Sequence, residues 1–198
     1  MARRSALEFT ALTPQLVIRA AADLADELGN VEHVTLAGVA AHFGVRVPSL
    51  YHHVDGLAGL VRGVSLLSLL ELADCMREAA RGKQGGEALI AVAHAYRRFG
   101  RAFPGRYTAT VLVRESNDVE LMTAAHEINK FLAELLLAYR FHTEDALHTI
   151  RALRSLAHGF ISLEAVGAFG LDLDREESYR RMIATFIQGL EQGAGRPQ

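Results

Sequence analysis

The residues best suited to chemistry lie together in the segment FGVRVPSLYHHV, residues 43–54. Ser49 and Tyr51 supply hydroxyl groups, and His52 and His53 supply imidazoles, but no metal-binding cage or nucleophile lies nearby. Adjacent helical residues point about 100° apart, so these two histidines are not expected to bind one metal ion together. Hydroxyls and imidazoles donate hydrogen bonds to phosphates, which favours a surface that contacts another molecule.

Composition limits the possible classes of protein. The 198 residues are 50% hydrophobic and 22% charged, which predicts a globular protein with one sizeable core, or with a small domain attached to a larger one. Cys75 is the only cysteine, which excludes an internal disulfide and a multi-cysteine zinc site. No secretory signal is visible, and apolar runs such as FLAELLLAY are shorter than the roughly 20 residues that span a bilayer. We expect a cytoplasmic protein with no membrane partner.

Helical patterns run through the chain, and no segment shows the alternation typical of strands. The expected fold class is therefore all-α. Start signals include Thr13 before Pro14, and Asn117 and Asp174, each followed three residues later by a glutamate. The segment RGKQGG, residues 81–86, is the clearest linker. The expected helices span residues 13–29, 35–43, 48–54, 56–80, 87–102, 104–114, 117–141, 144–169 and 174–191.

Two short helices, residues 35–43 and 48–54, have the size of a helix-turn-helix, with Gly44 at the turn. In the second, Leu50 and Val54 are four residues apart and are expected to face the core. The opposite side of that helix then points outward. The residues on this outward side are Pro48, Ser49, Tyr51 and His52, with His53 to one side.

This outward side suits a nucleic-acid surface. Serine can hydrogen-bond to bases, and Val47 or Pro48 can pack on a thymine methyl group. Between Val34 and Val54 the chain carries Arg46 and three histidines but no carboxylate. Residues 1–62 nevertheless have a net charge of −1, from five arginines and six carboxylates, so DNA binding must depend on local geometry. The alternative is a helical hairpin that only packs a core.

The segment TLAGVAAHFGVRVPSLYHHVDGLAGL, residues 35–60, resembles the helix-turn-helix of the tetracycline-repressor (TetR) family. The similarity covers about residues 13–62. It implies a three-helix DNA-binding domain, residues 1–62, joined by a long helix to a helical ligand-binding and dimerisation domain, residues 63–198. The matching residues are Thr35, Leu36, Val39, Ala40, Gly44, Val45, Ser49, Leu50, Tyr51, His53, Val54 and Leu60.

The resemblance also implies roles for these residues and their neighbours. Leu57 stands where the family usually has a phosphate-binding lysine, and Asp55 would cap the following helix without attracting DNA. Phosphate contacts could then come from Arg3 and Arg4. By resemblance, the phosphate-binding residues are Thr35, Tyr51 and His53. Those that face or border the bases are Arg46, Val47, Pro48, Ser49 and His52.

Residues 87–191 resemble the family's effector and dimer domain. His158 and Gly159 are similar to a His-Gly pair of one branch, although the tryptophan often found near that pair is absent. In the family, the last two long helices form a four-helix bundle with their copies in a second subunit. Here their apolar stripe could instead close the core of a monomer. The stripe consists of Ile150, Leu153, Ala157, Phe160, Ile161, Val166, Met182, Ile183, Phe186, Ile187 and Leu190.

Helical proteins bind small ligands between helices, among apolar side chains with a few polar anchors. The resemblance implies a repressor that a small, mostly apolar effector releases from a pseudo-palindromic double-stranded DNA operator. A homodimer would hold its two recognition helices about 34–36 Å apart. No metal or cofactor is implied. The candidate effector contacts are Phe99, Phe103, Tyr107, His126, Asn129 and His158.

Two other functions stay open. A histidine-based metal enzyme has little support, since the segment HEINK, residues 126–130, lacks the second histidine of a zinc hydrolase. No nucleophile elbow or phosphate loop occurs either, so we expect no enzymatic activity. A dimeric helical ligand-binding protein with weak or lost DNA binding is the stronger alternative, because the N-terminal residues are acidic overall and Leu57 replaces a lysine.

Overall fold

The computed structural model describes residues 12–113, 117–139, 141 and 143–194, and every regular element within these ranges is helical. The all-α prediction is confirmed. Short 3-10 turns also occur at Val31–His33 and Leu137–Tyr139. The helices are α1 (Pro14–Leu28), α2 (Leu36–Phe43), α3 (Val47–Leu50), α4 (Gly56–Ala80), α5 (Gly85–Ala102), α6 (Pro104–Val111), α7 (Val119–Leu136), α8 (Thr143–Ala165) and α9 (Arg175–Ala194).

Local signals set most of the helix ends. The Thr13 hydroxyl accepts a hydrogen bond from the Leu16 N–H, and Gly29 ends α1 with a φ of 74°. Several predicted boundaries are wrong, among them the end of α8 and the start of α7. The helix expected to reach residue 169 ends at Ala165, because Gly167 takes a φ of 67°. Helix α7 is capped by Asp118 and not by its predecessor, since this carboxylate accepts the Leu121 N–H.

Two apolar clusters divide the described residues, and α4 contributes to both. Leu60 and Val64 belong to the cluster formed with α1, α2 and α3. Leu72 and Met76 belong to the larger cluster formed with α5, α7, α8 and α9. Ala109 of α6 joins the first cluster. The predicted domain boundary after residue 62 stays a prediction, and the change from one cluster to the other falls within the middle turns of α4.

Helix α4 is also long and apolar enough to cross a membrane by length and composition, which the sequence analysis did not expect. Its most apolar window has a mean hydropathy of 1.5, and 44% of that window is buried inside the protein. Core helices pass the same test of length and composition. Because α4 packs its apolar side chains into both clusters, we interpret it as the central core helix.

The start of α6 is docked directly on α1. Gly105 is so close to the backbone of Ala25 that a Cβ atom at this position would overlap the Ala25 carbonyl group. The Arg106 N–H donates to the Asp26 carboxylate over 2.9 Å, so a side chain of α1 caps the first turn of α6. The buried Arg106 guanidinium also pairs with Asp23. Burial raises the pKa of Asp26, outweighing the opposing hydrogen bond and charge of Arg106.

A second contact joins α4 to the start of α7. Arg62 Nε lies 2.5 Å from one carboxylate oxygen of Asp118, and its Nη2 lies 2.8 Å from Glu120. The hydrogen bond from Arg62 lowers the pKa of Asp118, the residue that caps α7. The N-terminal helices therefore hold the first turns of both α6 and α7 through charged hydrogen bonds.

Helices α8 and α9 fill the protein's own core with most of the predicted dimer stripe. Val166 is the exception at 77% exposure, while Met182, Phe186 and Leu190 are half-buried. Helical spacing alone could not distinguish packing within one chain from packing against a second subunit. The stripe residues buried within the chain are Ile150, Leu153, Ala157, Phe160, Ile161, Ile183 and Ile187. As these seven are unavailable to a partner, a dimer must use residues outside this buried set.

We predict that Gly105→Ala destabilises the protein by about 3 kcal/mol, because the added methyl group must push α6 away from the α1 backbone. Gly193→Ala is the matched control, since no atom lies within 4 Å of a Cβ at that helical position. The control should change the free energy of unfolding by about 1 kcal/mol or less, towards greater stability. Urea unfolding followed by circular dichroism measures both, and equal stability of the two variants would contradict the close contact.

Candidate nucleic-acid interface and effector cavity

Capping and a glycine turn fix the direction of the helix-turn-helix. The Thr35 hydroxyl accepts the Gly38 N–H over 3.0 Å and so caps α2. Gly44 ends α2 with a φ of 65°, a conformation that glycine adopts without strain. The Val45 N–H then donates back to the Ala40 carbonyl over 3.0 Å. This turn directs the chain into α3 at a fixed angle.

Helix α3 is shorter than predicted and is followed by a turn. It ends at Leu50, although the N–H groups of both His53 and Val54 donate to the Leu50 carbonyl, at 2.9 and 3.0 Å. The expected end at Val54 is wrong, because residues 51–55 form turns and Gly56, with a φ of 63°, starts α4. Leu50 itself is completely buried and anchors the segment in the N-terminal cluster.

The structure places the predicted DNA-contacting residues on one exposed surface around α3. Tyr51 is 60% exposed, so its ring and hydroxyl are accessible to another molecule. Val47 and His53 are half-buried at its edge. The other exposed residues of this surface are Arg46, Pro48, Ser49 and His52, and Thr35 is exposed at the start of α2. Arg46, Val47, Pro48, Ser49, Tyr51, His52 and His53 are called the α3 surface below.

The electrostatics of the α3 surface are locally favourable for phosphate. No described carboxylate pairs with Arg46, so its guanidinium is available to a ligand. Asp55 occupies the N-cap position of α4, but its side chain makes no capping hydrogen bond, contrary to expectation. Leu57 is 45% exposed at the position of the family's usual lysine. The arginines Arg3 and Arg4 lie outside the described residues.

An apolar cavity of about 90 Å³ lies between α4, α5, α6, α7 and α8. Its polar lining residues are Tyr96, Thr110, Asn129 and Arg154, and the rest of its described lining is aliphatic. Of the six predicted effector contacts, Asn129 alone lines this cavity. Arg154 was missed because a charged residue on a helix resembles an ordinary surface residue. Its position three residues before Ala157 places both on one face of α8, and this spacing was a signal in the sequence.

Tyr107 and His158 line a different cavity of about 240 Å³, between the end of α1, α6 and α8. The Tyr107 hydroxyl and His158 Nδ1 are 2.6 Å apart. Burial, followed by the charge of Arg154, lowers the pKa of His158, and burial raises the pKa of Tyr107. The two residues therefore form a neutral hydrogen-bonded pair outside the lining of the 90 Å³ cavity.

The other predicted effector contacts line neither of these two cavities. Phe99 and Phe103 pack on each other, with ring centroids 5.4 Å apart, and belong to the large apolar cluster or its edge. His126 is exposed on α7. Aromatic residues among apolar neighbours served the core in both cases, which is the commoner use of such residues. Among the described residues, no group of three or more histidines, cysteines or carboxylates is placed to hold a metal ion.

Comparison with known proteins agrees with this arrangement. A family model described as tetracyclin repressor-like, C-terminal domain, matches residues 89–186. The uncharacterized HTH-type transcriptional regulator YobS of Bacillus subtilis (strain 168) is 36% identical over 180 residues, covering 90% of this chain and 93% of that protein. An uncharacterized HTH-type transcriptional regulator of Mycobacterium tuberculosis is 28% identical over 161 residues, covering 81% of this chain and 73% of that protein.

The fold is also shared with a TetR variant from Acinetobacter baumannii AYE solved in complex with minocycline. That structure has a TM-score of 0.72 and 19% sequence identity, covering 94% of this chain and 100% of the other. The helix-turn-helix and these relatives define a DNA-binding transcriptional regulator. The chain belongs to the TetR family, whose members bind DNA operators and small-molecule effectors, form dimers and are generally not enzymes. The branch with the His-Gly pair stays a prediction.

We predict that Thr35→Ala lowers the free energy of unfolding by about 1 kcal/mol, because the first turn of α2 loses its side-chain cap. Thr35→Ser keeps the hydroxyl and should stay close to the wild type. Thermal unfolding in matched buffers measures the difference. An alanine variant as stable as the serine variant would show that this cap contributes nothing.

We predict a pH dependence of stability that is traceable to His158. Its pKa is depressed from 6.5 in the folded state, so the unfolded chain takes up the proton first as the pH falls. The stabilisation is complete above pH 6.5 and is lost as the pH falls towards the folded-state pKa. Between about pH 7.5 and about pH 5.5, His158→Gln should therefore lose less stability than the wild type.

Exposed His126→Gln is the control for this measurement and should retain the full wild-type loss. His94, whose pKa burial also lowers, leaves a residual pH dependence in both variants. Urea unfolding at several pH values measures the slopes. Parallel slopes for the wild type and His158→Gln would rule out this source.

Proposed function

We propose that this regulator binds a pseudo-palindromic operator as a homodimer in the cytoplasm and is released by a small, mostly apolar effector. While it is bound to the operator, it acts as a repressor. The observation that carries the DNA-binding part is the α3 surface, where polar side chains and one unpaired arginine surround the buried anchor Leu50. The cavity between α4 and α8 carries the effector part.

Thr35 and the residues of the α3 surface take the following roles in DNA binding. Thr35, Tyr51 and His53 contact phosphates, which position the protein but carry no sequence information. Arg46 and Ser49 hydrogen-bond to base edges in the major groove. Val47, Pro48 and His52 border the same bases. Because α3 is short, these contacts come from a single turn of helix and the turn that follows it.

The proposed dimer uses the parts of α8 and α9 that the protein's own core leaves uncovered. Leu147, Leu163 and Val166 of these helices and their loop are exposed apolar residues. A Cβ at Gly159 or Gly189 would meet no atom within 4 Å, so both glycines leave room for a second copy to approach. Two copies joined at this face would present two α3 surfaces to one side of a DNA duplex.

Coupling between effector and operator is proposed to pass through α4 and α6, which line the cavity and also contact the N-terminal helices. Leu69 and Leu72 of α4 and Thr110 of α6 line the cavity. At the other end of α6, Gly105 and Arg106 are docked on α1. An effector that binds one conformation more tightly shifts the population of both helices, and with them the position of the α3 surface.

Selection of bound duplexes from a random-sequence DNA pool tests the DNA-binding part. The wild type should enrich a pseudo-palindrome, Tyr51→Ala should bind all sequences at least about tenfold more weakly, and Ser49→Ala should alter the preferred bases. His126→Ala, exposed and far along the chain from α3, is the control and should select the wild-type sequence.

If a folded wild-type dimer enriches no sequence at low salt, the DNA-binding proposal is wrong. The exposed Leu57 in place of a lysine would then favour the second candidate, a dimeric ligand-binding protein with weak or lost DNA binding. Low salt is essential, because phosphate contacts weaken steeply as the salt concentration rises.

A further inference from the structure

The described wall of the effector cavity contains one cationic side chain and no carboxylate. The cation is Arg154 on α8, and Asn129 on α7 also lines the cavity. Thr110, a third polar group, already donates its hydroxyl to the Tyr107 carbonyl over 2.7 Å. Tyr96 also lines the cavity, and its hydroxyl interacts with that of Tyr107. The remaining hydrogen-bond donors of this wall are on Arg154 and Asn129.

Arg154 differs from the two buried arginines of this region, because it is exposed at the edge of the cavity. Arg97 hydrogen-bonds to Glu164 and Glu176, and Arg106 pairs with Asp23 and Asp26. Arg154 has no hydrogen bond or ion pair with any described residue, although it lines an apolar cavity. A guanidinium has five donors and loses little hydration on meeting a carboxylate, so this unpaired group is suited to an anionic ligand.

The charge of Arg154 also acts on groups beside the cavity. It favours the neutral form of His158, in addition to the larger effect of burial. It also favours the anionic form of Tyr107, although burial dominates and keeps this hydroxyl protonated. The charge of Arg154 therefore acts on neighbouring groups of α6 and α8.

We propose that the effector is an amphipathic monocarboxylate, whose apolar body fills the aliphatic part of the cavity while its carboxylate pairs with Arg154 and accepts from Asn129. This inference rests on the proposed effector cavity and specifies the chemistry of its ligand. The planar guanidinium holds a carboxylate through two parallel hydrogen bonds, which a neutral amide or alcohol cannot reproduce.

The cavity volume limits the size of the apolar body. A volume of about 90 Å³ has room for roughly six to nine water-sized groups, at 10–15 Å³ each. Short straight-chain and monocyclic aromatic acids are in this range. Hexanoate and benzoate are therefore suitable probes, and hexanamide and benzamide match them in shape without the charge.

Isothermal titration of the full-length protein with these four compounds tests the proposal. The wild type should bind each acid at least roughly tenfold more tightly than its amide, since hydrogen bonds to charged groups are the stronger class. Arg154→Gln should lose this preference while binding the amides as before. Arg151→Gln removes an exposed arginine one turn away on α8 that does not line the cavity, and it should retain the preference.

Three results would overturn the proposal: equal affinity of the wild type for acids and amides, a preference that survives Arg154→Gln, or no binding of any probe at millimolar concentration. The operator selection on the same protein separates this failure from failure of the proposed function. An enriched operator without acid binding removes the ligand class alone. Acid binding that requires Arg154 but leaves operator affinity unchanged keeps the ligand class and removes the repressor mechanism.

Discussion

The contact between α6 and α1 is the constraint on which the remaining geometry depends. Gly105 brings two helix backbones closer than any side chain would allow, and Asp26 uses its carboxylate to cap the first turn of α6. The same eight-residue helix then supplies Thr110 to the cavity and Ala109 to the N-terminal cluster. Because this short helix contacts α1, the cavity and the N-terminal cluster, the N-terminal helices and the cavity wall have little freedom to move independently.

The Arg106 guanidinium and the Asp26 carboxylate at this contact are largely withdrawn from water, whereas Asp23 is exposed. The Arg106 guanidinium lies over the Phe103 ring at 4.8 Å, with Asp23 and Asp26 of α1 on its other side. Removing one member of such a buried set leaves an uncompensated charge, so the set is costly to break. These groups make the relative position of α1 and α6 specific, because carboxylates fix the guanidinium in a way that apolar packing does not.

Sequence reasoning succeeded where a helix end or face is decided within a few residues. Thr13, Gly29 and Gly44 define their helix ends through local hydrogen bonds and left-handed glycines, and the chain was read correctly there. The cap of α7 was misplaced by one residue, since the Arg62 guanidinium holds Asp118 from 56 residues away. A capping pattern in the sequence does not contain that distant partner.

The two candidate sites differ in the same way, because one is decided by neighbouring residues and the other by residues far apart in the chain. The α3 surface is built by one short helix whose buried residue, Leu50, identifies the outward side, so its members could be named in advance. The cavity requires five helices, and none of its boundaries is visible in a local pattern. The aromatic side chains of Phe99 and Phe103 are of a type that often contacts ligands, but they lie in the core and at its edge. Arg154 lines the cavity, although in the sequence it looks like an ordinary surface residue.

The length of α4 gives its contribution to the cavity a geometric consequence. Leu69 lines the cavity, and Gly56, the first residue of the helix, lies 13 residues away, which corresponds to roughly 20 Å of helix. As a rigid lever pivoting at Leu69, α4 needs to tilt by only about 10° to displace its N-terminal end by roughly 3.5 Å. That displacement is about the axial step between neighbouring base pairs, roughly 3.4 Å. In the proposed mechanism, a rearrangement of a few side chains around the cavity would therefore be magnified into a shift of the DNA-binding surface by about one base-pair step.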